Sequence, residues 1–199
     1  MKSFQIALAA AFFAILAFSS CQKEAKIGKH SIILTQDSFT YYLENQFSRW
    51  TVLVCQDQLQ FMDTLQSFYR DRGYTPLHWD VLMGDSAAWN ELESTFSYSE
   101  THGMDARYYY LPLVSYYKAK AANYSSSDSI YRVYAELELI ISNSLLRMYK
   151  DIANGRSSPI KVYGYTYMLP RNNWKSMKFY DFLNEPNKIG MIEEIHKND

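Results

Sequence analysis

Two thiols and four imidazoles are all that the chain offers for nucleophilic or transition-metal chemistry: Cys21, Cys55, His30, His78, His102 and His196. No two of them lie within a few residues of each other, so the short ligand spacings of a metal site are absent. Cys55 closes the apolar run Thr51-Val52-Leu53-Val54-Cys55, with no histidine or cluster of cations beside it. Such a thiol is expected to be buried and inert, because nothing stabilises its thiolate. Gly-rich phosphate loops are also missing, and no cofactor is expected. Lys and Arg number 20 against 21 Asp and Glu, without a basic stripe, which excludes nucleic acid as a partner.

Cys21 stands in a different setting. Met1-Lys2 is followed by an apolar run from Phe4 to Phe18, too short to span a bilayer, and then by Phe18-Ser19-Ser20-Cys21. This order resembles the lipobox of bacterial lipoproteins, in which the cysteine is acylated and becomes the new N-terminus; Phe18 stands where Leu is usual. Cys21 is therefore the expected lipid attachment site. Residues 1–20 read as signal peptide, 21–35 as a tether, 36–185 as a folded domain and 186–199 as a C-terminal tail. The expected location is the periplasmic side of a bacterial membrane, with the outer membrane preferred and the lipid as the contact.

The elements of the domain follow from apolar spacing. Ile130, Val133, Tyr134, Leu137, Ile140, Ile141, Leu145, Met148 and Ile152 recur at threes and fours, predicting a long central helix over 128–154. Asp128 or Ser129 is its expected N-cap and Gly155 its stop. Leu137 and Ile141 fall on its buried stripe and Glu138 on the exposed side. Further helices are expected over 58–72, 86–101, 106–122 and 174–183, with 155–171 as a loop or short strand pair. Asp85-Ser86-Ala87 and Asp128-Ser129-Ile130 are similar to a short O-glycosylation signal, but both sit where helix caps are expected. Only 7 Gly and 5 Pro oppose a turn-rich β fold. The fold class is mainly α: a single compact helical domain around one long helix.

The chain holds 18 Tyr, several of them consecutive: Tyr108-Tyr109-Tyr110 and Tyr116-Tyr117, with Tyr163, Tyr165 and Tyr167 further on. Neighbours on a helix point about 100° apart, so some must face solvent, where aromatic rings suit recognition of glycan or protein. A non-enzymatic binding module is thus one reading of the chain.

A second reading comes from three stretches in fixed order. The first contains Phe68, Tyr69, Gly73, Tyr74, Pro76, Leu77 and Trp79, and the second Gly103, Asp105 and Tyr108. The third contains Ala135, Glu136 and Leu137, then Gly155, Arg156 and Pro159. Together they resemble the scaffold domain that precedes the catalytic domain of large peptidoglycan L,D-transpeptidases, over roughly Leu59 to Leu183. His78 is inserted between Leu77 and Trp79, Met104 replaces Leu, and Ala106 replaces Pro. These residues are expected to specify the fold: Gly103 and Gly155 release helices, Pro76 and Pro159 block continuation, and Trp79, Tyr108 and Tyr149 supply broad apolar faces.

The resemblance implies a cysteine nucleophile in a Ser-or-Thr-His-Gly-Cys setting. Thr101-His102-Gly103-Met104 imitates it, but a thioether cannot attack. No catalytic residue is therefore expected here, and no transpeptidase activity from this chain alone. The expected partners are the membrane through the lipid, and peptidoglycan or a catalytic transpeptidase domain. The sequence fits a short family member or the front piece of an interrupted reading frame.

Overall fold

The computed structural model describes residues 22–27, 30–48, 53–54, 57–109, 111–155 and 178–197. An antiparallel hairpin comes first, β1 (Gln22–Ile27) with β2 (His30–Thr35), then helix α1 (Gln36–Phe47) and a two-residue strand pair, β3 (Leu53–Val54) and β4 (Asp57–Gln58). Helices α2 (Met62–Asp71), α3 (Trp79–Leu82) and α4 (Ser86–Ser97) follow. Two 3-10 turns, Tyr98–His102 and Ala106–Tyr109, lead to α5 (Leu111–Ala121) and the long α6 (Ser127–Asn154). Helices α7 (Phe179–Asn184) and α8 (Lys188–Lys197) end the described chain.

Helix α6 is the axis of the molecule. Helices α1, α2, α5, α7 and α8 all pack on it, together with β2 and both 3-10 turns. The apolar stripe accounts for one side, with Leu137 and Ile141 fully buried as expected. The neighbours cover the rest, so Leu139, Leu146 and the polar Ser142, Asn143 and Ser144 are buried too. Only a narrow strip stays wet, with Asp128 and Arg132 exposed and Glu136 half-exposed, and the amphipathic rule then misleads. Glu138 is the correction that follows: expected at the surface, it is 0% exposed. One apolar cluster joins Leu34, Phe39, Leu65, Val81, Leu92, Val114, Phe182 and Ile192 to α6, giving a single mainly α domain.

Several boundaries differ from expectation. The segment 21–35 holds a hairpin where a tether was expected, registered Gln22 opposite Thr35 and Ile27 opposite His30. Thr35 then caps α1, its hydroxyl accepting from the Ser38 amide, while its own amide donates to Tyr131 Oη at 2.8 Å. Within the 186–199 tail, Lys188–Lys197 forms α8, with Ile192 fully buried. The 58–72 helix starts only at Met62, and the 106–122 helix is divided between a 3-10 turn and α5. Helix α6 begins at Ser127 with Ser126 as its extended N-cap residue, ahead of Asp128 and Ser129. Asp85 does cap α4, accepting from the amides of Ala87 and Ala88.

Gly103 follows the first 3-10 turn at φ 72°, ψ 21°, a left-handed conformation that a side chain resists. Asp105 then starts the next turn, accepting from the Arg107 amide at 2.9 Å. Gly155 ends α6, also at positive φ. Cys21, Cys55, Tyr110, Arg156, Pro159, the 163–167 tyrosines, residues 156–177 and the signal segment lie outside the described residues. No described helix is long and apolar enough to cross a membrane.

Candidate functional site

Tyr69 lies near the end of α2, where the chain must turn sharply. Gly73 and Tyr74 both take positive φ, 59° and 57°, and the Tyr74 amide donates back to the Tyr69 carbonyl at 2.7 Å. A tyrosine in left-handed backbone is uncommon and costs of order 1 kcal/mol, so packing must hold it there. The Tyr74 ring, 6.0 Å from that of Phe47, supplies part of that packing. Buried Pro76 then sends the chain back across α6 before α3 starts at Trp79.

The turn delivers two backbone amides to one carboxylate. Glu138 Oε1 accepts from the Leu77 amide at 2.6 Å and the His78 amide at 3.2 Å, and Oε2 lies 3.2 Å from the latter. Tyr69 Oη donates to Glu138 Oε1 at 2.7 Å and lies 2.7 Å from Ser142 Oγ. Ser142 follows Glu138 by four residues and so shares its helix face. Its Oγ also meets His78 Nε2 at 3.0 Å. Glu138, Tyr69, Ser142 and His78 form one buried chain of hydrogen bonds. Two of the sequence stretches, separated by some sixty residues, meet in it.

Burial dominates the electrostatics. It pushes the Glu138 carboxyl up to about 7, against the opposing pull of the Tyr69, Leu77 and His78 donors and the charge of Arg72. It lowers the His78 imidazole to about 3, helped by the positive charges of Lys188 and Arg72. The Tyr69 hydroxyl is raised well above its ordinary value, by burial and then by Glu138. At neutral pH His78 is therefore an uncharged imidazole, and only its tautomer is open to change.

His78 also forms part of the wall of a cleft of about 200 Å³. Leu77, Val81, Leu92 and Leu145 line it with apolar surface, and Asp80, Glu91 and Lys188 with charge. Lys188 Nζ donates to the Glu185 carbonyl at 2.7 Å, and burial lowers its pKa.

The other expected residues are structural. Phe68 is buried beneath the Arg72 guanidinium, 5.3 Å from its ring centre. Trp79 is buried 5.5 Å from Phe39, its indole Nε1 without a partner among the described residues. Ala135 and Leu137 are fully buried, while Glu136 is half-exposed. Tyr149 stacks on Phe182 at 4.3 Å. Tyr108 is a correction: it is 49% exposed, and its neighbour Tyr109 takes the core position. Tyr109 Oη reaches Asp151 Oδ2 at 3.4 Å and Met104 Sδ at 3.0 Å. The sulfur of the Thr101–Met104 stretch thus serves as a hydrogen-bond acceptor inside the fold. Among the described residues no group of His, Cys, Asp and Glu is placed to hold a metal ion.

The sequence pattern puts Glu138 on the exposed side, marks His78 only as an insertion and does not single out Ser142. A usable signal existed in Ser142-Asn143-Ser144, three polar residues amid the apolar spacing of a core helix. Polar groups there must find partners inside the fold.

A helical module wrapped around one buried axis, its motif stretches serving polar contacts within the core, is the class that fold and site define. The family model described as Scaffold domain matches residues 63–194, about two thirds of the chain, and the chain belongs to that family. The match starts inside α2 and ends inside α8, leaving the hairpin and α1 outside it. No curated protein and no solved structure matches the chain.

Proposed function

We propose that this is a lipid-anchored protein of a bacterial envelope, whose Scaffold domain supports peptidoglycan cross-linking of the L,D-transpeptidase type without performing the acyl transfer. The observation that carries the reading is the meeting of the first and third motif stretches at Glu138, within the matched family region. Residues quoted for a scaffold resemblance build the fold's own polar core, as scaffold residues should. Acyl transfer by this chemistry needs a thiolate near an imidazole. Of the two cysteines, Cys21 is taken up by the proposed lipid and Cys55 has no neighbouring histidine in sequence. On this reading the nucleophile belongs to a catalytic partner.

The test is incubation of the purified protein with tetrapeptide-bearing muropeptides, followed by mass spectrometry. No covalent adduct and no cross-linked product are expected; an adduct on Cys55 overturns the reading. Anchoring is tested separately by Cys21→Ala, which should move the protein from the membrane to the soluble fraction with loss of the lipid mass.

A second reading, an envelope module that binds glycan or protein, is favoured by three outward rings. Tyr41, Tyr108 and Tyr116 are 64%, 49% and 59% exposed. Co-sedimentation with insoluble peptidoglycan that Tyr108→Ala and Tyr116→Ala abolish would support it, and co-sedimentation indifferent to both would remove it.

A further inference from the structure

The cleft beside His78 holds two polar groups whose bonding within the protein leaves capacity over. Lys188 Nζ is bound to a backbone carbonyl, with no carboxylate at ion-pair distance among the described residues. A half-buried ammonium can donate three hydrogen bonds and has made one. His78 is buried and uses Nε2 on Ser142, while Nδ1 has no partner among the described residues and the ring lines the cleft. Apolar surface from Val81, Leu92 and Leu145 and the carboxylates of Asp80 and Glu91 complete the lining. A volume of about 200 Å³ lies below the range of drug-sized ligands and suits one of amino-acid size.

We infer that this cleft binds an apolar α-amino acid as its zwitterion, its carboxylate held by Lys188 Nζ and His78 Nδ1–H, and that the hydrogen-bond chain from Glu138 decides whether His78 presents that donor. The ligand's ammonium meets Asp80 and Glu91, and its side chain rests on the apolar lining.

The coupling to Glu138 follows from counting protons. Tyr69 and Ser142 own one hydroxyl proton each, and the neutral imidazole owns one N–H. When Glu138 is ionised it only accepts. Tyr69 then donates to Glu138, Ser142 to Tyr69, and His78 Nε2–H to Ser142, which leaves Nδ1 a bare acceptor. With the proton on Glu138 Oε1 the Leu77 and His78 amides go on donating while each side-chain bond reverses: Glu138 donates to Tyr69, Tyr69 to Ser142, and Ser142 to Nε2. The imidazole proton then sits on Nδ1. One proton separates the two arrangements. It enters at Nδ1, the Nε2, Ser142 and Tyr69 protons each move one bond along, and the last arrives on the carboxylate. The imidazole stays neutral throughout.

A ligand carboxylate needs a donor, so it selects the protonated arrangement and its binding takes up one proton. The charged groups beside the chain and the cleft include Arg72, Lys188, Asp80, Glu91 and Glu185. Glu138 is the carboxyl that the hydrogen bonds through Tyr69 and Ser142 join to His78, so the uptake is assigned to it.

Leucine is the probe. Calorimetric titration of the protein, in buffers of unlike ionisation heat, should show leucine binding with uptake of one proton near pH 8. Affinity should fall up to tenfold per pH unit above the Glu138 transition, as linkage to one proton requires. Leucinamide and N-acetyl-leucine should bind at least tenfold more weakly, and so should leucine to Lys188→Met at unchanged thermal stability. Without ligand, nitrogen-15 NMR of the His78 ring should place the proton on Nε2 at high pH and Nδ1 at low pH. Glu138→Gln should hold one tautomer throughout the range in which the ring is neutral.

Absence of leucine binding at millimolar concentration overturns the site. Leucinamide binding as well as leucine, or affinity that rises with pH, overturns the proposed pose. A His78 tautomer that ignores pH in the wild type overturns the coupling, without needing any variant to fold. Since every readout concerns binding or a ring proton, the result is independent of any role in peptidoglycan cross-linking.

Discussion

Replacing Glu138 by Gln keeps the shape of the side chain and removes its titration. The folded carboxyl sits at about 7, raised from 4.5 by burial, while in the unfolded chain it returns to the ordinary value. A raised carboxyl contributes stability that is fully present below the unfolded pKa and is lost as pH climbs through the folded one. Each pH unit between the two pKa values corresponds to about 1.4 kcal/mol. Between pH 4.5 and 7 the wild type should therefore lose about 3 kcal/mol that the Gln variant does not. His78 works the opposite way. Its pKa is lowered from 6.5 to about 3, so its contribution is present above 6.5 and lost on acidification toward 3. That slope belongs to both proteins and cancels in the difference. Urea unfolding of each at about pH 4.5, 5.5, 6.5 and 7.5, with equal m values, isolates the Glu138 contribution. The Gln variant should gain on the wild type steadily up to about pH 7 and then stay level. A difference that is flat, or that favours the wild type as pH rises, would refute the reasoning. It would mean that the Tyr69, Leu77 and His78 donors outweigh burial and hold the carboxylate charged.

Tyr69→Phe deletes the hydroxyl between Glu138 and Ser142 and should cost about 1–3 kcal/mol by denaturant melt, because buried partners are left unsatisfied. The exposed Tyr108→Ala should stay within about 0.5 kcal/mol in the same assay. Leu137→Ala, at the centre of the enclosed helix, should cost about 2–5 kcal/mol. Gly103→Ala meets no atom within 4 Å of the new Cβ, so its cost of about 1–2 kcal/mol is conformational, and Gly103→Asn should recover part of it.

Helix α6 was legible because its apolar residues recur without a break from Ile130 to Ile152, and spacing of that kind is a local property. Which of its faces would be wet was not legible. Wetness depends on how many neighbours pack around it, and Glu138 was misplaced for that reason. The motif stretches were visible as residues but not as a site: a bond from Leu77 N to Glu138 crosses 61 positions, and nothing local encodes it. His78 looked like an insertion, yet its amide and ring occupy both ends of the polar chain. Tyr108 and Tyr109 show the limit on a smaller scale, since a turn can present either ring to the core. The hairpin has a hint in His30-Ser31-Ile32-Ile33-Leu34-Thr35, rich in strand-forming residues, which the expectation of a tether over 21–35 overrides.

The hairpin changes what the proposed anchoring would do. Stretched out, the chain from Gln22 to Thr35 would give the domain a leash of about 45 Å. Folded back in register, Gln22 lies opposite Thr35, and Thr35 both caps α1 and is fastened to α6 through Tyr131. The strand that starts at Gln22 returns its reach before it can be used. With Cys21 acylated, the domain would ride at the bilayer surface as if on a short bracket, with restricted height and restricted rotation. Whatever it organises would then have to be found near the membrane plane, where a long leash would have let it search the depth of the wall.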